Sequence, residues 1–145
     1  MDGGLPTVIS RGPHLTTTGV CGPCRWMAPE ALDPQDVLDG EVPGSFFTKA
    51  SDVYSLGMTI LEVYTGKVPF CHRRYDTVVI LDVIRGIKPQ QPATSVMSEG
   101  IWKVLQSCWQ FDSECRPPAI VVEAWLTVIF YAERFQKSLS EVTIC

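Results

Sequence analysis

The sequence predicts a mainly α fold built around one buried central helix. Three observations carry that expectation. No stretch alternates apolar and polar residues over the length of a strand. One segment, "SDVYSLGMTILEVYTG", is apolar on nearly every face, as a helix enclosed by others must be. Proline- and glycine-rich stretches cut the remainder into pieces of helical length.

Residues 1 to 19 are rich in Gly, Pro and Thr and read as irregular. A short helical turn follows Pro29 and ends near Pro34, and Asp33 to Ser45 is an acidic loop punctuated by Pro34, Gly40, Pro43 and Gly44. The central helix comes next. Ser51 or Asp52 can cap its start by accepting from an unpaired backbone N–H, and Gly66 falls where a left-handed C-terminal cap belongs. Between them Val53, Tyr54, Leu56, Met58, Ile60, Leu61, Val63 and Tyr64 point in all directions. Three further helices are expected: Tyr75 to Arg85, Ser98 to Trp109, and a long one from near Pro117. A proline in the first turn of that last helix loses no hydrogen bond. The connections "TGKVPF", "GIKPQQPATS" and "QFDSECRPP" are turn-like, and there is no internal repeat.

The bulk numbers exclude several classes. A chain of 145 residues is one domain or part of one. Apolar residues make up 46%, charged residues 19%, and the net charge is −4. With no basic stripe, nucleic acid is not an expected partner. The longest apolar stretch, Ala119 to Ala132, is interrupted by Glu123 and too short to cross a bilayer. The N-terminus lacks the charged-then-apolar pattern of a secretory signal. Six cysteines without such a signal suit reduced thiols in a cytoplasmic protein. His14 and His72 are isolated, and the cysteines lack the spacing of a zinc site, so no metal is expected.

Val20 to Leu32, "VCGPCRWMAPEAL", reads in two incompatible ways. Cys21-Gly22-Pro23-Cys24 resembles the redox turn of thioredoxins. That reading needs a buried strand before the turn and a long helix after it to stabilise a thiolate. "GPHLTTTG" is a poor strand, and the acidic loop leaves room for only a turn or two of helix.

The other reading draws on three separated stretches: "GPCRWMAPEAL", "KASDVYSLGMTILEVYTGKVPF" and "MSEGIWKVLQSCWQFDSECRPPA". In this order they resemble the C-terminal lobe of protein kinase domains, nearest the tyrosine-kinase-like group, from about Cys21 to Leu126. The resemblance implies residues 21–136 as a helical C-lobe, residues 1–20 as a remnant of the activation segment and residues 137–145 as a tail. It implies that Glu30 of A-P-E pairs with Arg116 and pins the substrate loop onto the helical core. A buried pair and a loose surface pair are the two forms this can take. Trp26 and Met27 then become apolar anchors of an irregular loop that also contains Pro23, Arg25, Ala28 and Pro29. Asp52 resembles the aspartate that braces the catalytic loop by accepting backbone hydrogen bonds; a simple N-cap is the plainer role. Thr16, Thr17 and Thr18 occupy the stretch where kinases carry activating phosphates.

The family transfers the ATP γ-phosphate to a protein hydroxyl, with magnesium. This sequence contains no G-x-G-x-x-G, no V-A-I-K-like strand and no H-R-D loop. It is therefore expected to be a fragment that lacks the ATP-binding lobe and to be inactive alone. ATP and magnesium belong to a complete member, and no cofactor is expected in this chain. Asp2-Gly3-Gly4-Leu5 lies where kinases place D-F-G-L, which makes Asp2 a candidate degenerate magnesium aspartate; a glycine-rich terminus is the alternative. Pro23 leans toward tyrosine specificity and Arg25 away from it. The expected partner is a protein, either a substrate or a binding partner of a non-catalytic, pseudokinase-like module, together with a missing N-terminal lobe. That module would bind through the substrate face and the helix from Tyr75 to Arg85.

Overall fold

The computed structural model describes residues 23–32 and 48–142. They form α1 (Pro29–Leu32), α2 (Lys49–Thr65), α3 (Asp76–Ile84), α4 (Glu99–Cys108), a 3-10 turn η1 (Ser113–Cys115) and α5 (Ala119–Val142). The fold is mainly α, as expected, and no strand occurs among the described residues.

The start of α2 differs from the sequence expectation. Thr48 is the N-cap, not Ser51 or Asp52. Thr48 Oγ1 accepts from the Ser51 N–H at 3.1 Å, while Ser51 Oγ accepts from the Thr48 N–H at 2.8 Å. This reciprocal box satisfies two orphan donors where a lone cap satisfies one, so the helix begins earlier. Asp52 lies in the first turn, exposed. Thr48→Ala should lower stability by about 1 kcal/mol, read as a shift of the urea midpoint. An unchanged midpoint would show that the box contributes nothing. At the other end Gly66 takes φ 65° and donates to the Glu62 carbonyl at 2.7 Å, a left-handed cap as expected.

α2 is the central helix, but its burial is one-sided. Val53, Tyr54, Met58 and Leu61 are buried, whereas Leu56, Val63 and Tyr64 are 39%, 75% and 42% exposed. The cause is placement: α2 packs against α4 and η1, which leaves the opposite face to solvent. Gly57 permits the closest approach. A Cβ there would lie 2.7 Å from Trp109 Nε1 and 3.0 Å from Cys108 Cβ, so only glycine admits the indole.

α4 begins at Ser98, whose hydroxyl accepts from the Ile101 N–H, and buries Ile101, Trp102, Val104, Leu105 and Cys108 on one face. It packs on α2 and on α5. Trp102 and Trp109 meet edge to face at 5.5 Å, an arrangement aromatic quadrupoles favour. α5 follows Pro117-Pro118, with the Pro118 carbonyl accepting from Val121 and Val122. It runs unbroken through positions 137–142, which the sequence assigns to a tail. α3 buries Val79 and Val83 and packs on α1. Its buried Asp82 is paired with Arg73 at 2.7 Å. No described helix is long and apolar enough to cross a membrane.

Candidate functional site

Residues 23–32 form a turn followed by one helical turn. The Trp26 and Met27 N–H groups donate to the Pro23 and Cys24 carbonyls at 3.0 and 3.3 Å, and Ala31 donates to Ala28 at 3.0 Å. So few local bonds cannot hold a segment in one conformation in water. Cys24, Ala28 and Pro29 are buried beneath it. Three long-range side-chain attachments fix the rest.

The first is Arg116, whose side chain is 0% exposed. Its Nη1 and Nη2 donate to Glu30 Oε1 and Oε2 at 2.6 and 2.8 Å, a bidentate pair. Nη1 also donates to the Ala50 carbonyl at 3.0 Å, Nη2 to Phe111 at 3.3 Å, and Nε to Gln110 at 2.8 Å. All five guanidinium donors are used. They tie α1, the first turn of α2 and the loop after α4 to one point. The guanidinium also sits 5.1 Å from the centroid of the Tyr54 ring, a cation–π contact. Burial pushes the Tyr54 phenol well above its ordinary range, with the Arg116 cation opposing the shift. The Glu30 side chain retains 27% exposure, so the pair has a buried cation and a half-buried anion.

The second is Arg25, and sequence reasoning missed what it does. Its Nε donates to Asp76 Oδ1 at 2.8 Å, and Nη2 lies 2.7 Å from the same oxygen. Nη1 donates to the Pro69 and Phe70 carbonyls and Nη2 to Arg73, each at 3.0 Å. Arg25 thus makes four hydrogen bonds beside its ion pair. Phe70 has φ 55°, a left-handed conformation that strains a residue with a side chain. Its burial and the Arg25 bond hold it there. The partners lie 44 to 51 residues downstream, and no periodic pattern announces them.

The third is Trp26, which packs against the core and donates from Nε1 to Glu62 Oε2 at 2.9 Å. Met27 is half-buried. The sequence gives no sign of Glu62 in this role. Asp52 takes no part in the hydrogen bonds of these clamps. With Val53, Leu56, Glu114, Arg116 and Pro117 it lines a recess of about 550 Å³. Asp2, Thr16, Thr17, Thr18, His14, Cys21 and most of the acidic loop lie outside the described residues.

A clamp thus joins the A-P-E glutamate to an arginine 86 residues later. The family model "Protein tyrosine and serine/threonine kinase" matches residues 1–124. This chain belongs to that kinase family. It is 31% identical over 124 residues to "Mitogen-activated protein kinase kinase kinase 10" of Xenopus laevis, covering 86% of this chain and 11% of that one. It is 34% identical over 108 residues to "Light-sensor Protein kinase" of Ceratodon purpureus, covering 70% and 8%. It is 33% identical over 119 residues to "Tyrosine-protein kinase Src64B" of Drosophila melanogaster, covering 80% and 19%. This kinase-family chain thus spans between about a tenth and a fifth of the length of these relatives.

Among the described residues nothing supports the redox reading of Cys21-Gly22-Pro23-Cys24, whose first two positions lie outside them. The described residues contain no strand, Cys24 is 0% exposed, and the helix that follows is four residues long. No group of three or more His, Cys, Asp or Glu that could hold a metal ion comes together among the described residues. What the described side chains do is position: two arginines and a tryptophan hold one segment against a helical core.

Proposed function

We propose that residues 23–32 seat a protein substrate within a protein kinase catalytic domain, and that the described helices act as their rigid support. The double clamp carries this reading. Arg116 and Arg25 make nine guanidinium hydrogen bonds to carboxylates and carbonyls of five separate segments, which suits a surface that must keep one shape. Phosphoryl transfer depends on such positioning. In this reading the recess beside Asp52 is where the catalytic loop of a complete domain rests, with Asp52 accepting its backbone N–H groups. The 145 residues carry none of the motifs that hold ATP, so this polypeptide alone binds protein without transferring phosphate. The reading places it in the cytoplasm, where ATP is available.

Titration calorimetry with ATP and magnesium on the 145-residue chain tests the second half of the proposal. No heat of binding is expected up to millimolar nucleotide. Micromolar affinity would sink it.

A second reading, a pseudokinase-like interaction module, is favoured by the outer face of α3. Tyr75 and Leu81 are 60% and 50% exposed, and Arg74 stacks over the Tyr75 ring at 5.6 Å. That face presents apolar and cationic groups that the core does not use. Arg74→Glu would abolish partner binding under this reading and leave it unchanged under the first.

A further inference from the structure

The connection from α2 to α3, residues 67–75, is held less by its own bonds than by one side chain from far away. Among the described residues, its single internal backbone bond runs from the Arg73 N–H to the Phe70 carbonyl at 2.8 Å. One such bond does not offset the conformational entropy of a loop this long. The shape is also a costly one. Phe70 has φ 55°, and no other described residue with a side chain has a positive φ. In that left-handed region the Cβ crowds the following carbonyl oxygen. The Phe70 ring is 3% exposed, which anchors the side chain. The backbone is anchored by Arg25. Its Nη1 donates to the Pro69 and Phe70 carbonyls, its Nη2 to the Arg73 carbonyl and its Nε to the Asp76 carboxylate. The Phe70 carbonyl therefore accepts twice, from Arg25 and from the Arg73 N–H.

We propose that Arg25 is a latch on the α2–α3 connection. While the guanidinium is engaged, Phe70 stays left-handed; when it withdraws, Phe70 relaxes to negative φ and the connection opens as a unit. The opening is concerted because three carbonyls and a carboxylate converge on one group and lose it together, which is how a local cooperative unit behaves. It has a direction because release removes the strain stored at Phe70. The Arg73 side chain reaches only Asp82 of α3, so that pair leaves residues 69–72 unheld. The other end of the latch stays in place. Trp26 keeps its bond to Glu62, and Glu30 its pair with Arg116, so residues 26–32 remain docked when the connection opens.

The latch governs a cavity. Pro69, Phe70, Cys71 and His72 form one wall of a recess of about 390 Å³ whose far side includes Pro89 and Val96. That wall has its present shape only while Arg25 is engaged. By linkage, whatever fills the recess in this shape strengthens the hold of Arg25, and loss of that hold weakens filling by the same factor. The inference does not depend on the proposed function: it stands whether or not residues 23–32 seat a substrate.

Nuclear magnetic resonance on the 145-residue chain tests it with two readouts. The sign of φ at Phe70 is read from the cross-relaxation between its own amide and α protons, which lie closer together at positive φ. It should be strong in the wild type and weak in Arg25→Gln. Hydrogen exchange at the Arg73 N–H should be faster in Arg25→Gln by about tenfold or more. The Trp109 N–H, bonded to the Leu105 carbonyl at the end of α4, should stay within about twofold of the wild type. Asp76→Asn removes the charge and leaves the three carbonyls, so it should speed exchange at Arg73 by a smaller factor. A Phe70 that keeps positive φ in Arg25→Gln, or an Arg73 amide indifferent to both substitutions, would overturn the proposal. Equal acceleration at Trp109, or a chain that unfolds outright on Arg25→Gln, would overturn it too, because Arg25 would then support the whole fold and not this connection.

Discussion

Replacing Glu30 with alanine lowers the unfolding free energy of this chain by about 3 kcal/mol, the lower end of the range for breaking a buried pair. The reasoning starts from Arg116, not Glu30. Its side chain is 0% exposed, so removing the carboxylate strands a cation that cannot reach water. The Ala50, Gln110 and Phe111 carbonyls remain as acceptors, which moderates the loss, as does the 27% exposure of Glu30 in the intact pair. An exposed ion pair would contribute only about 0–1 kcal/mol, so the two cases are separable by urea denaturation. At about 2–4 °C per kcal/mol for a chain near this size, the thermal midpoint falls by roughly 6–12 °C. Limited proteolysis should also cut within residues 23–32, because the clamp holds that segment. Arg116→Lys should not rescue stability, since one ammonium cannot span acceptors arranged around a planar five-donor fork. A loss below about 1 kcal/mol would mean that the pair behaves as a surface contact.

Trp109→Ala is expected to cost about 3–5 kcal/mol, the range for deleting a buried aromatic. The side chain is 1% exposed, meets Trp102 edge to face, and lies directly on Gly57 of α2. Its deletion opens a cavity where α2 and the end of α4 meet, and helices on both sides are too rigid to close it fully. Trp109→Phe should cost much less. Trp109 Nε1 is buried with no acceptor among the described residues, so the change removes volume but breaks no hydrogen bond. Gly57→Ala probes the same contact from the other side. A methyl 2.7 Å from that nitrogen must displace the ring, at about 1–3 kcal/mol for overpacking. Combining Gly57→Ala with Trp109→Phe should then cost less than the sum, because the smaller ring yields the space the methyl needs. Strict additivity would show that the two residues do not share one packing site.

How much of this was legible in the residues depends on the range of the interaction that encodes it. The helices were legible because periodicity and end signals act over a few residues: Gly66 at its left-handed cap and Ser98 before α4 are local facts. Thr48 was misjudged in favour of Ser51 or Asp52 because all three types can cap, and only geometry reveals which pair bonds reciprocally. The pairing of Glu30 with Arg116 came from the family resemblance, since nothing in the spacing of 86 residues points to it. Arg25 and its acceptors at Pro69, Phe70, Arg73 and Asp76 gave no signal at all. Backbone carbonyls carry no sequence identity, so a guanidinium bound mostly to carbonyls leaves no trace in the residues around it.

By itself the sequence determined the helical class, the family, and which segments must be apolar, because these follow from side-chain chemistry repeated at short intervals. Tertiary structure alone decided which face of α2 is covered and which atoms neutralise each buried arginine. Those outcomes depend on the relative placement of elements distant in the chain. Hydrophobic burial is non-directional, and the same apolar pattern is compatible with several placements until packing selects one.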